Sequence, residues 1–111
     1  MTFRQQRDLA ADVRYALGDY EGAAQLAANA TARMSDTELK NPIDGTVRLT
    51  QVAAEAKLGH REQATAAFED FKTTVPKVTT ITQIKKWMYP TADLYGYEPL
   101  HQGLRLAGVE E

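Results

Sequence analysis

The chain lacks cysteine, and this absence excludes several classes of chemistry. Its 111 residues contain no cysteine and only two histidines, His60 and His101. These counts rule out a disulfide framework, a thiol nucleophile and a zinc site built from cysteines or from several histidines. We therefore expect no metal ion and no cofactor.

A strong charge of one sign and long apolar runs are also missing. Thirteen basic and fifteen acidic residues give a formal net charge of −2, which offers no general attraction to nucleic acid or to an anionic membrane. No apolar run approaches the roughly 20 residues of a membrane-spanning helix, and the polar opening is not a signal peptide. We expect a cytoplasmic protein without nucleic-acid or direct membrane contact. The alternative is the periplasmic side of a membrane-anchored parent protein.

What the chain does contain is an internal repeat. Residues 17–24 (LGDYEGAA) and 58–65 (LGHREQAT) each combine a helix end, a glycine and a small residue five positions after that glycine. Glycine at such a place ends a helix in the left-handed conformation, and in the first copy Asp19 can cap the helix that follows. A repeat of this kind indicates stacked helical hairpins. Because no stretch shows strand-like alternation, the sequence predicts an all-α fold.

The spacing of apolar and turn-forming residues divides this single domain into four parts. The first repeat covers about 3–34, and the second covers about 46–76. A loop at 35–45 is predicted between them, because this segment contains Asn-Pro and Asp-Gly pairs. Capping helices follow at about 79–108.

The two repeats resemble the tetratricopeptide family. Their glycines are 41 positions apart, and a tetratricopeptide repeat is about 34 residues long, so the surplus falls in the predicted loop. Arg7 and Arg48 stand where the family usually has tryptophan. The positions that match the pattern are Gly18, Ala23, Gly59, Ala64, Phe68 and Pro76. The resemblance implies a right-handed superhelical stack of hairpins with a C-terminal helical cap.

The tail is similar to the end of a group of bacterial multidomain regulators. The resemblance covers residues 68–111 and depends on Pro90-Thr91-Ala92-Asp93 and on the ending LHQGLRLAG at 100–108. In that group, tetratricopeptide repeats follow a class III adenylate/guanylate cyclase domain or a winged-helix DNA-binding domain. The resemblance implies a signalling module at the C-terminus of an adenylate cyclase-like protein, with the catalytic domain upstream. We therefore expect the chain to be a segment of a longer protein.

The sequence itself offers no catalytic residues. It has no glycine-rich phosphate loop, and Asp8 and Asp12 lie one helical turn apart among arginines that suit intrahelical ion pairs. We expect a non-catalytic module for protein–protein interaction or regulation. Two alternatives are open, namely a stand-alone adaptor that binds a peptide and the repeat segment of a winged-helix transcriptional regulator.

Two candidate interaction surfaces follow from the family alignment. Two hairpins are fewer than the three usually needed for a stable stack, so we expect the first helix to contact upstream repeats or a second copy of the chain through Phe3, Leu9 and Val13. The concave wall of the stack would consist of Gln5, Asp8, Asp12, Tyr15, Thr46, Leu49, Ala53 and Lys57. Because two of these residues are acidic, we predict that the wall does not bind a peptide carboxylate.

The remaining distinctive side chains receive structural interpretations. Trp87 is expected to pack in the core of the cap, with the anchoring of a partner as the alternative. His60 is interpreted as a polar residue at the start of a helix. His101 is expected on the solvent side of the last helix.

Overall fold

The computed structural model describes residues 3–88 and 98–111, excluding the side chains of residues 3–9 and 43. The described residues form seven helices and no strand, so the all-α expectation is confirmed for them. The helices are α1 (Phe3–Ala16), α2 (Tyr20–Thr31), α3 (Asp36–Lys40), α4 (Pro42–Lys57), α5 (Arg61–Thr74), α6 (Ile81–Met88) and α7 (Glu98–Leu106). The predicted Pro90–Asp93 break lies outside the described residues.

The two glycine corners have the same backbone geometry. Gly18 has φ +83° and Gly59 has φ +79°, both in the left-handed region. The residues that follow, Asp19 and His60, have φ/ψ of −84°/74° and −85°/71°. The N–H of each donates to a carbonyl five residues earlier at 2.9 Å. The two corners marked by the sequence repeat therefore share one backbone conformation.

The side chains at the two corners differ although their backbones agree. The N–H of Gly22 donates to Asp19 Oδ1 at 3.0 Å, so Asp19 caps α2 as predicted. His60 makes no such bond to α5. Its Nδ1 instead lies 2.8 Å from Glu55 Oε2.

The two hairpins stack through the second helix of the first and the first helix of the second. α1 packs on α2 and α4 packs on α5, and α2 in turn packs closely on α4. Val47 of α4 lies among the buried Ala27 and Ala30 of α2. The hydroxyl of Thr31 donates to Gln51 Oε1 at 3.4 Å across the same contact. Small side chains on α2 allow this close approach.

The segment 35–45 is not the loop that we predicted. It contains α3, which begins with a capping box between Ser35 and Glu38. The Glu38 N–H donates to Ser35 Oγ at 3.2 Å, and the Ser35 N–H donates to Glu38 Oε1 at 3.0 Å. This reciprocal pair satisfies two N–H groups that a helix start leaves without partners.

The pairs that we interpreted as turns instead begin the next helix. Pro42 is the first residue of α4, where its missing N–H and its fixed φ favour a helix start. Gly45 lies inside α4. A larger residue does not fit there, because the end of α3 approaches this position closely. A Cβ at this position would lie 2.1 Å from the carbonyl oxygen of Leu39 and 3.2 Å from Cη2 of Trp87.

The main core joins the second hairpin to the C-terminal helices. Trp87 is half-buried and stands edge-on to Phe71, with ring centroids 5.2 Å apart. The end of the chain is tied to the start of α6, because the Ile81 N–H donates to the Glu110 carbonyl oxygen at 2.7 Å. The large buried side chains of this core include Leu49, Val52, Phe71, Ile81, Ile84, Met88, Leu100 and Leu104.

Candidate interaction site

The face that we expected to form an open groove is covered by α7. This helix packs mainly on α4. It also reaches α1, because the hydroxyl of Tyr15 donates to the carbonyl oxygen of Pro99 at 2.6 Å. Gly103 of α7 lies close to both Tyr15 of α1 and Ala53 of α4. The chain therefore places one of its own helices on the surface that α1 and α4 share.

This arrangement corrects the prediction of an open concave wall. Four of the predicted wall residues have exposed fractions of 7% or less, so they lie in the interior; they are Tyr15, Thr46, Leu49 and Ala53. Asp12 and Lys57 are half-buried. The side chains of Gln5 and Asp8 lie outside the described part of the chain. The prediction failed because the family alignment does not indicate where the last helix docks.

Asp12 connects the two hairpins. The hydroxyl of Thr50 on α4 donates to Asp12 Oδ1 at 2.8 Å. Burial raises the pKa of this carboxyl group, and the hydrogen bond from Thr50 opposes that shift. This hydrogen bond joins α1 to α4. The intrahelical ion pairs expected for Asp12 stay a prediction, because the side chains of Arg4 and Arg7 lie outside the described part of the chain.

The fit of α7 depends on a glycine. A Cβ on Gly103 would lie 2.4 Å from Tyr15 Oη and 2.5 Å from Ala53 Cβ. These distances are shorter than real Cβ contacts, so only glycine allows the helix to approach so closely. On either side of it, Leu100 and Leu104 have exposed fractions of 3% and 0%. Gln102 and Leu106 face solvent.

His101 is buried, contrary to the sequence prediction. Its exposed fraction is 3%, because the buried stripe of α7 is wide enough to include the residue next to Leu100. Within the described part of the chain, its Nε2 has no hydrogen-bond partner, and its Nδ1 lies 3.9 Å from Glu98 Oε2. Burial lowers the pKa of this imidazole, and the nearby Lys85 ammonium lowers it further. Both effects favour the neutral imidazole.

A second surface lies on the outer side of α1. Val13 and Leu17, one helical turn apart, have exposed fractions of 55% and 77%. Their counterparts in α4, at the same distance from the glycine corner, are Ala54 and Leu58. Ala54 is fully buried and Leu58 is half-buried against the core. The side chains of Phe3 and Leu9, predicted to share this surface, lie outside the described part.

A shallow depression of 410 Å³ lies where α4 meets α7, lined by Lys57, Gln102, Arg105 and Leu106. Its two basic side chains have different surroundings. Arg105 Nε donates to Glu111 Oε2 at 2.6 Å, and its guanidinium also bonds to Glu98. The Lys57 ammonium lies 5.8 Å from the centre of the Tyr20 ring. The guanidinium of Arg105 is thus already paired with two carboxylates of its own segment.

Known proteins offer no match to this chain, since no protein-family model, no characterised protein and no solved structure matches it. Among the side chains that the structure describes, no group of three or more histidine and acidic residues is placed to hold a metal ion. None of the helices in these ranges has the length and apolar character needed to cross a bilayer.

Proposed function

We propose that the chain is a non-catalytic helical-repeat module for protein–protein interaction, built from two tetratricopeptide-like hairpins in a right-handed superhelical arrangement. The matching corners at Gly18 and Gly59 support the repeat, and the packing of α2 on α4 supports the stacking. In this proposal the module lies in the cytoplasm, at the C-terminus of a bacterial adenylate cyclase-like signalling protein.

The observation that carries the proposal is the unequal exposure of equivalent residues in the two hairpins. On α4, Val47 and Gln51 contact α2, and helical spacing places Ala54 and Leu58 on the same face. The matching face of α1 ends in Val13 and Leu17, which are exposed. The surface that joins one hairpin to the next is thus repeated on α1 without a partner among the described residues.

An upstream hairpin or a second copy of the chain fits this face of α1. The expected partner presents small apolar residues like those of α2, because Val47 on the covered face of α4 lies among the buried Ala27 and Ala30 of α2. Burial of the two exposed side chains would contribute about 25 cal/mol for each Å² of apolar surface removed from water.

Sedimentation velocity over a range of concentrations tests this function. We expect the wild-type chain to self-associate and Val13→Asp to shift the equilibrium to monomer, because a buried unpaired charge is costly. Leu106→Asp is the matched control, since Leu106 is exposed on α7. A wild-type chain that stays monomeric at every concentration, like both variants, would contradict the proposal.

Two further assays separate this function from its alternatives. We expect no nucleotide-cyclase turnover from the purified chain, and measurable turnover would contradict the non-catalytic proposal. The upstream part of the natural reading frame distinguishes a cyclase-like parent from a winged-helix regulator or a stand-alone peptide-binding adaptor.

A further inference from the structure

We propose that two copies of this chain pair through the outer face of α1 around a two-fold axis, and that the assembly stops at two copies. The outer face of α1 consists of Ala10, Val13, Ala16 and Leu17, which helical spacing places on one side of the helix. This inference rests on the proposed function, since it names the occupant of the surface on which that function depends.

The outer face of α1 combines large and small apolar side chains. Val13, Ala16 and Leu17 are exposed, and Ala10 is half-buried. The contact between the two hairpins joins the same kinds of residue, because Val47 of α4 lies among buried alanines of α2. A two-fold contact sets one patch against its own copy, so the large residues of each chain meet the small residues of the other. One helix face therefore supplies both halves of the contact.

The charge at the edge of this face does not oppose self-pairing. Arg14 lies beside the outer face, and its guanidinium donates to Asp19 Oδ2 at 3.0 Å. Both side chains are exposed, so the pair adds little to the stability of the fold, but it leaves this edge without a net charge of its own. Two copies therefore meet here without the repulsion that like charges cause across an interface.

The opposite end of the stack is closed, and this limits the assembly to two copies. Phe68 and Phe71 of α5 stand 41 positions after the two alanines of α2 that lie around Val47. Both phenylalanines are buried in the main core, and Phe71 meets Trp87 of α6 edge-on. The stacking residues of α2 and of α5 are thus both covered within the chain. Neither of these helices offers a free stacking face to α1 of another copy, so open head-to-tail assembly is excluded.

Sedimentation velocity of the wild-type chain tests the size of the assembly. We expect a monomer–dimer equilibrium in which no species larger than a dimer forms as the concentration rises. Species that keep growing would overturn the inference, and if Val13→Asp abolishes that growth the proposed function still stands. A chain that stays monomeric at every concentration would contradict both.

Single cysteines test the two-fold symmetry. Because the chain has no cysteine of its own, an introduced thiol can be cross-linked only to the same position of another copy. Val13→Cys and Leu17→Cys should each form covalent dimers with a short bismaleimide. Leu106→Cys is the matched control, because Leu106 is similarly exposed on α7. We expect at least about tenfold more cross-linked dimer from the α1 variants, since contact gives their thiols a millimolar effective concentration.

Two outcomes of the cross-linking would overturn the inference. The first is an equal yield from all three variants, which would show that α1 does not face α1 of a second copy. The second is an unchanged yield when Val13→Asp is added to the Leu17→Cys chain, since a buried unpaired charge should separate the copies. Circular dichroism verifies that each variant keeps the helical signal of the wild type, as expected for substitutions of exposed side chains.

Discussion

Replacing Gly103 with alanine measures how tightly α7 approaches the two hairpins. The added Cβ would lie 2.4 Å from Tyr15 Oη, 2.5 Å from Ala53 Cβ and 3.0 Å from Ala53 Cα. Overpacking of this kind costs about 1–3 kcal/mol, while the better helix propensity of alanine returns about 0.5–1 kcal/mol. Because two of these contacts are 2.5 Å or shorter, we expect an overpacking cost of about 2–3 kcal/mol. The free energy of unfolding should therefore fall by about 1–2.5 kcal/mol.

Urea denaturation followed by circular dichroism checks this value. Gln102→Ala is the control, since its side chain is exposed on the same helix and its effect should stay within about 0.5 kcal/mol. A Gly103→Ala chain as stable as the wild type, or more stable, would refute the packing described here. An exposed helical glycine would give that result, because only the propensity gain would remain.

A double-mutant cycle with Tyr15→Phe identifies the clashing atom. Tyr15→Phe removes the oxygen that lies nearest to the added Cβ, so it should lessen the effect of Gly103→Ala. We expect a coupling free energy of about 0.5–1 kcal/mol between the two substitutions. Strict additivity would show that the Tyr15 hydroxyl does not limit the approach of α7.

Two further predictions concern buried titratable groups. Asp12→Asn keeps an oxygen acceptor for Thr50 and removes a carboxylate whose pKa is raised by burial. The free energy of unfolding at pH 7 should therefore stay the same or rise by up to about 1 kcal/mol. A loss of more than about 1 kcal/mol contradicts this account. Since burial lowers the pKa of His101 in the fold, the unfolded chain binds more protons below about pH 6.5. Stability should fall as the pH drops from there towards the folded pKa, and should level off below it. Lys85 and Arg105 disfavour the imidazolium, while Glu98 and Glu111 favour it. His101→Leu removes the titrating group, so the loss of stability between about pH 6.5 and the folded pKa should disappear. A variant with the same pH profile of stability as the wild type would disprove this assignment.

The hairpins could be predicted from sequence because their signals are local. Gly18 and Gly59 end their helices through their own backbone freedom, and Asp19 caps its helix from three residues away. Helix α3 was predictable as well, since Ser35 and Glu38 carry the spacing of a capping box. We missed it because the Asn-Pro and Asp-Gly pairs that follow also suit a turn.

The docking of α7 depends on contacts between residues far apart in the chain. Tyr15 meets Pro99 and Gly103, and no periodicity in either segment indicates this pairing. One signal was present, since a glycine inside an amphipathic helix often marks a close approach by another element. That signal predicts that something packs on Gly103 but does not say which helix.

Native-state hydrogen exchange tests most directly the central claim that the two hairpins are stacked on each other through α2 and α4. The account predicts that the amides of α2, α4 and α5 share one opening free energy close to that of global unfolding, because α2 packs closely on α4 and neither hairpin opens alone. A hairpin that loses its protection separately from the other would contradict it.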